Sequence, residues 1–422
     1  MAYTHQDSPP DATDPTTLPP LPLPPGVSSR YVDCTTSHSL VFHILESLPD
    51  LKSSASKPKL VLLCHGFPDL AYSWRKMLPL LSSQGYHAVA FDQRGFGRTF
   101  SRNPLTESSF RPLALLRDTV ALVQALGYTS VSCIVGHDFG AVPASLCALA
   151  RPDMFHCLVL MSHPSKGPPQ LPFNTSPAYG EPSAAPLPPP PPIDEALAAL
   201  PRPRKPYKWY YCEPSSNAEM TYPAGAHLHT FLRGYFHLKS ADWDGNHPHR
   251  LEGWTATELE KMPRYYVMDL ADTMRQAVAR DMEAEDPKIV SSRSSRWLPD
   301  AELAVYVQEY GRTTFQGGLN WYKVLTQPDT AAEMEAWSGM KIPIPTILIC
   351  GKSDWGTYQV PGALEAMEQG ESVGPGLYKG TILMSEAGHW VNQEQPERCV
   401  EEISRLIEEA SVARTFSAGI PI

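Results

Sequence analysis

The sequence predicts an α/β protein, with a mostly parallel central sheet flanked by helices and a large, mainly helical segment inserted before the last strands. Three observations predict it. Short β-branched apolar runs alternate with longer stretches of helical period between residues 31 and 163, which is how a sheet buried on both faces reads. The same alternation returns only after residue 343. The chain between is different in kind, first proline-rich and then helical and aromatic.

The expected strands run from Leu40 to Leu45, Leu60 to Cys64, Ala88 to Phe91, Val131 to Val135 and Cys157 to Met161. Helical periods fall at about Tyr72 to Ser83, Phe110 to Leu126 and Phe139 to Ala150, the middle one stopping at Gly127 as a helix end should. After the interruption come strands at Thr346 to Cys350 and Gly380 to Met384, then an amphipathic helix from Pro396 to about Ala413. The domain map that follows has a disordered proline-rich tail over 1–29 and the first part of the α/β core over 30–163. A lid over 164–340 begins with a proline-rich insert at 164–206, and the second part of the core covers 341–422. A segment that leaves one strand's carboxyl end and returns before the next lies over the edge where open α/β sheets carry their sites.

Composition narrows the function classes. The 422 residues hold 44 prolines, more than half of them in the tail and the insert, so the remainder is ordinary globular chain. A net charge of −10 with only 19% charged residues offers nothing to phosphate backbones or anionic lipid, and no nucleic-acid partner is expected. The N-terminal stretch has no basic start and no apolar run, and no later stretch approaches the roughly 18 apolar residues that cross a bilayer. A soluble, cytoplasmic protein is expected. The eight scattered cysteines, with Cys64, Cys133 and Cys350 each ending an apolar run, are expected to be free thiols. The lid histidines His227, His229, His237, His247 and His249 lack the spacing of a helical ligand pair, so neither a metal nor an organic cofactor is expected.

The chemistry is concentrated in four strand-end motifs. Residues 131–141 read VSCIVGHDFGA, a strand turning sharply into a helix with Gly136 and Gly140 around Asp138, which is the pattern of a nucleophile elbow holding Asp in place of Ser. An Asp before a helix is most often an N-cap, but here strand, turn and helix fall in register and partners occur elsewhere. Residues 60–68 read LVLLCHGFP, and the loop after such a strand supplies one amide of an oxyanion hole while the residue after the nucleophile supplies the other. That assigns the hole to Phe67 and Phe139. An acid follows the later strand in ILICGKSD at Asp354, and a base follows the last strand in SEAGHW at His389. Nucleophile, acid and His thus appear in the chain order known for this architecture. The glycines of DQRGFGRT, residues 92–99, mark a tight turn and lack the third glycine of a dinucleotide site.

Together HGFP, GHDFGA, the strand-end Asp, GHW and the segment FQGGLNWY resemble the α/β-hydrolase fold epoxide hydrolases of the soluble and microsomal kind, over residues 31 to about 412. The resemblance implies the α/β-hydrolase fold, a small-molecule epoxide substrate and a lid tyrosine at Tyr322. It also implies a second lid tyrosine in KWYYCEP, where the spacing to Glu213 and Pro214 points to Tyr210 over Tyr211. His65, Pro68, Trp209, Trp321 and Trp390 are expected to line the substrate. Asp138 then opens the ring and forms an ester, Tyr210 and Tyr322 protonate the leaving oxygen, and His389, oriented by Asp354, activates the water that clears the ester. The lid's Trp and Tyr content suggests a bulky, flat epoxide of the secondary-metabolite kind. The nearest rival is a dehalogenase with the same Asp nucleophile. Haloalkane dehalogenases place an indole N–H directly after that Asp, where this chain has Phe139. A second alternative is a non-hydrolytic biosynthetic or ligand-binding protein on the same fold.

Overall fold

The structure, a computed structural model, describes residues 14–50, 57–169, 171 and 192–418. Eleven strands are present among them: β1 (Ser28–Asp33), β2 (Leu40–Ser47), β3 (Lys59–Cys64), β4 (Tyr86–Phe91), β5 (Phe100–Ser101), β6 (Cys133–His137), β7 (Leu158–Met161), β8 (Arg204–Pro206), β9 (Val267–Asp269), β10 (Thr346–Gly351) and β11 (Tyr378–Met384). The main sheet has the order β1-β2-β4-β3-β6-β7-β10-β11, with β5 pairing to β2. From β4 to β11 every neighbour is parallel, and β2 alone runs against the rest, pairing antiparallel with β1, β4 and β5.

Alternation along the strands builds two cores. Leu60, Leu62 and Cys64 pack into one face of the sheet, and Val61 and Leu63 into the other. A strand buried on both sides needs such a continuous apolar run, and its backbone groups are satisfied by the neighbours in the ladder. The helices Pro112–Ala125 and Ala141–Ala150 cover one face, and Met77–Ser83 with Pro396–Ala418 cover the other. All seven strands expected from the apolar runs are present, with no end moved by more than two residues. The edge strand β1 was not expected because its side chains are mostly exposed, so it shows no apolar run.

Register decides where the site lies. Cys64 pairs with Gly136, His137 with Met161, Met161 with Ile349, and Gly351 with Met384. The carboxyl ends of β3, β6, β7, β10 and β11 therefore form one row, and the loops that leave it carry Phe67, Asp138, Asp354 and His389.

The chain between β7 and β10 supplies the helical insertion, including helices Tyr207–Cys212, Ala226–Lys239, Asp300–Thr313 and Gln316–Leu325. It rests on the row of strand ends: Phe67 packs against Tyr211, Tyr310, Phe315 and Tyr322, and the Trp321 indole N–H donates to the carbonyl of Arg94 at 3.0 Å. The described part of the proline-rich insert, beyond residue 192, forms the helix Ile193–Ala198 and then β8, which pairs with β9. Residues 170 and 172–191 lie outside the described residues.

The expectation of a disordered tail over 1–29 is corrected for residues 14–29. The carbonyls of Pro15, Pro19 and Pro22 accept hydrogen bonds from Tyr31, Arg98 and Tyr72, and Leu21, Leu23 and Val27 pack on the core. Extended proline-rich backbone has unpaired carbonyls, and here buried donors use them. Residues 1–13 lie outside the described residues.

Candidate active site

β6 ends at His137, and the chain turns through Asp138 with a φ of 48° into the helix Ala141–Ala150. A left-handed φ on a non-glycine residue is strained and is found where the surroundings over-determine it. The flanking glycines allow the turn: a Cβ on Gly136 would run into the Gly140 carbonyl, and one on Gly140 into the carbonyls of Cys64 and His65. The turn lifts the Asp138 carboxylate off the sheet edge between two loops. Its Oδ1 accepts a hydrogen bond from the Phe67 amide at 2.9 Å, and its Oδ2 lies 3.2 Å from Nε2 of His389. That second approach is an ion-pair distance without hydrogen-bond alignment, so Nε2 keeps its lone pair or proton for another partner. On the far side of the ring, Nδ1 of His389 stands 3.0 Å from Oδ1 of Asp354, which also accepts from the Gly356 amide at 2.7 Å.

All three side chains are buried. Burial alone would push the Asp138 carboxyl up, but His389 beside it, then Lys239 and His137, hold it well below the usual carboxylate range. Burial likewise opposes ionisation of Asp354, and His389 overrides it. The His389 loop is itself clamped. Its carbonyl meets Nε2 of His137 at 2.7 Å and the Ser162 hydroxyl at 2.9 Å, its amide donates to the Lys239 carbonyl at 2.7 Å, and Glu394 accepts from the Gly388 and Trp390 amides. His137 contrasts with His389: its Nδ1 is 2.9 Å from Asp69, so both its nitrogens are engaged within the protein.

A family model described as the alpha/beta hydrolase fold matches residues 59–188. An epoxide hydrolase of Caballeronia sordidicola is 28% identical over 347 residues, covering 82% of this chain and 87% of that one. Epoxide hydrolase B of Mycobacterium tuberculosis is 28% identical over 381 residues, 90% of this chain and 96% of its own. Among solved structures, an epoxide hydrolase from an endophytic Streptomyces superposes with a TM-score of 0.66 at 26% identity, covering 91% of this chain and 96% of that one. Potato epoxide hydrolase I gives 0.63 at 26% identity, over 91% and 99%. The chain has the α/β-hydrolase fold and is similar to these epoxide hydrolases over most of its length.

In this chain the insertion covers the site with aromatic rings. Tyr322 is buried with its ring 4.5 Å from Phe139 and 5.5 Å from Phe67, centroid to centroid. Burial raises its hydroxyl well above the ordinary phenol value, with Tyr207 and then Asp138 adding to the effect.

Tyr210 does not join it. Its hydroxyl donates to Glu219 at 3.0 Å, and its ring takes the ammonium of Lys205 on one face. Two other residues of that helix reach Tyr322: Tyr211, whose ring lies 5.0 Å away and whose hydroxyl pairs with that of Tyr235 at 3.2 Å, and Tyr207, whose ring lies 5.9 Å away at 75° and whose hydroxyl donates to Gln359 at 3.1 Å. Burial, then the charge of Asp138, raises Tyr207 well above its ordinary value. Tyr207 and Tyr211 are four apart on one helix face, their rings 5.2 Å apart, whereas Tyr210 turns to the next face. That four-residue spacing was the available signal for Tyr207; the motif spacing used to choose Tyr210 ignored the helix face.

The remaining expected residues divide. Phe139 follows Asp138, and Trp321 and Trp390 are buried against Phe139 and His389, each donating its indole N–H to a backbone carbonyl. Pro68 is buried beyond Phe67. His65 is not free for substrate, since Nδ1 contacts the Gly66 carbonyl at 2.8 Å and Nε2 accepts from the Gln93 amide at 3.1 Å. Trp209 is 37% exposed on the outer face of its helix and does not line the site.

Proposed function

We propose that the chain, a hydrolase acting on epoxides, opens the ring through an ester on Asp138 that His389 and water then clear. The observation that carries this reading is the carboxylate at the strained turn, held between the Phe67 amide and Nε2 of His389. An epoxide is attacked at an sp³ carbon, and a carboxylate nucleophile leaves an ester that water can cleave at its carbonyl. Asp138 is ionised for that attack because its neighbours hold its carboxyl low. Tyr207 and Tyr322 take the ring oxygen, and burial keeps both phenols protonated, the form that donates. Tyr207 replaces Tyr210 in this role. Attack moves an electron pair from the C–O bond to the ring oxygen, which leaves with a phenol proton as one hydroxyl of the diol.

In the second half, Nε2 of His389 takes a proton from water, and Asp354 steadies the imidazolium that forms. The hydroxide adds to the Asp138 carbonyl, and the amides of Phe67 and Phe139 receive the oxyanion; its collapse breaks the ester C–O bond and expels the diol's second oxygen, which takes the proton held by His389, while the proton released as the Asp138 carboxyl ionises restores the phenol. We assign the helical insertion the role of a lid, and its wall of Phe67, Phe139, Tyr207, Tyr211 and Tyr322 suits a bulky, flat epoxide of the secondary-metabolite kind. A dehalogenase fits less well, since the indoles of Trp321 and Trp390 spend their N–H groups on backbone carbonyls and leave none for a halide.

The test is intact-protein mass spectrometry of the His389→Gln protein given a panel of epoxides, where one covalent equivalent on Asp138 is expected. In heavy-oxygen water, a single turnover of the wild type should place the label in the Asp138 carboxylate. Label in the diol on that first turnover would mean that water attacks the epoxide itself.

A further inference from the structure

We propose that the chamber recognises an anionic substituent on its epoxide, specifically a carboxylate, through the ammonium of Lys239 with Lys208 as a second cation. The proposal rests on the epoxide reading above and names the substrate class within it.

Lys239 ends the helix Ala226–Lys239, and its carbonyl holds the His389 amide, so its backbone is tied to the base of the site. The side chain is turned inward. Only 3% of the residue is exposed, and Nζ lies 4.8 Å from the ring of Tyr266, 5.2 Å from Tyr235, 5.5 Å from Trp390 and 5.9 Å from Tyr265. Among the described residues this ammonium makes no hydrogen bond and no ion pair with a carboxylate. The other buried cations are paired: Arg75 with Glu302, Arg94 with Asp118, Arg98 with Glu309, while Arg204 donates to the Val267 carbonyl. Aromatic faces attract a cation but do not replace the water it has lost, so an unpaired buried ammonium is a costly feature that a ligand of opposite charge would offset.

Lys239 reaches the candidate site through the loop of His389: its carbonyl holds the His389 amide at 2.7 Å and its ammonium lies over the neighbouring Trp390 ring. Asp138 feels the charge of Lys239, and Lys208 in turn feels Asp138 and is opposed by Lys239. Lys208 directly follows Tyr207, with its ammonium 5.8 Å from that ring and without a carboxylate partner among the described residues. When Asp138 becomes an ester its negative charge passes to the phenolate left by the donating tyrosine, while both ammonium groups remain. A carboxylate elsewhere on the substrate would pair with those ammonium groups, and the aromatic cage would hold the ring that bears it.

The experiment compares matched pairs: the 3- and 4-carboxylates of styrene oxide and 3-phenylglycidate, each against its methyl ester. Wild type should favour at least one acid over its ester by about tenfold in kcat/KM, mainly through KM and less so in high salt. In Lys239→Met the acid-to-ester ratio should fall about tenfold, and in Lys208→Met by a smaller factor of about three. Lys239→Arg, which keeps the charge, should retain the preference and covers the case in which Lys239→Met does not fold. Equal or poorer turnover of every acid, or an acid-to-ester ratio untouched in both Met variants, would overturn the proposal while leaving the epoxide activity intact. Hydrolysis of none of the six compounds would instead overturn the activity reading, and this inference with it.

Discussion

The two halves of the site are built differently. On the sheet side, Phe67, Asp138, Asp354 and His389 sit on loops that leave neighbouring parallel strands, and the ladder register alone brings their bearers into one row. On the insertion side, Tyr207 and Tyr322 come from two helices whose side chains advance by about 100° per residue, so a choice wrong by a few positions points to another environment. Tyr210 shows this, three residues on and already bonded to Glu219. A strand-end loop specifies a residue by sequence position; a packed helix specifies it by face.

The sharpest way to break this comparison is to remove one group from each half. Asp138→Ala should abolish turnover and adduct formation, a loss of at least about 10⁴-fold, because no other carboxylate reaches the ring carbon. Residual burst formation in that protein would remove Asp138 from the reaction. Tyr322→Phe and Tyr207→Phe should each slow ring opening by about 10²-fold, with the double substitution close to inactive. Tyr210→Phe should stay within about threefold of wild type, since its hydroxyl serves Glu219. Rapid-mix measurement of the alkylation step settles the order; a larger loss with Tyr210→Phe than with Tyr207→Phe would restore the sequence-based choice.

Stability should separate the halves too. Gly140→Ala places a methyl group against the carbonyls of Cys64 and His65, neither of which can move without breaking the sheet, and should cost about 1–3 kcal/mol in thermal or denaturant unfolding. Trp209→Ala, on the outside of the insertion, should cost little, and an equal loss for both would argue against the tight elbow.

The smallest expected effect is in pH dependence, where the halves have opposite signs. Burial would raise Glu46 on β2, but His87 and Arg30 outweigh it and lower its carboxyl to about 2. A depressed acid contributes stability above its unfolded value near 4.5, and that contribution disappears as pH falls towards 2. Asp281 in the insertion is raised by burial against the pull of Arg264, so its contribution is present below 3.8 and fades as pH rises through its folded value. Unfolding midpoints from pH 3 to 7 should show a shallower acid-side loss in Glu46→Gln and no such change in Asp281→Asn. The reverse pattern would place the acid-labile carboxylate in the insertion.

Much of the sheet was legible because burial on both faces leaves a plain signature, an uninterrupted β-branched run such as Leu60 to Cys64. The exposed edge strand β1 and the three-residue β8 and β9 carry no such signature. Residues 14–29 read as tail because composition reports only what a segment can bury by itself, whereas their order comes from donors on Tyr31, Tyr72 and Arg98.

Sequence by itself determined the fold class, the elbow at Asp138 and its partners His389 and Asp354, since each depends on local chemistry at the end of a recognisable strand and the parallel sheet converts chain order into spatial order. Tertiary structure decided what depends on packing between helices. It turned Tyr207 towards Tyr322 and Tyr210 towards Glu219, engaged both nitrogens of His65, exposed Trp209, and enclosed Lys239 among four rings. A helix offers every face to the sequence, and only the neighbours packed on it select one.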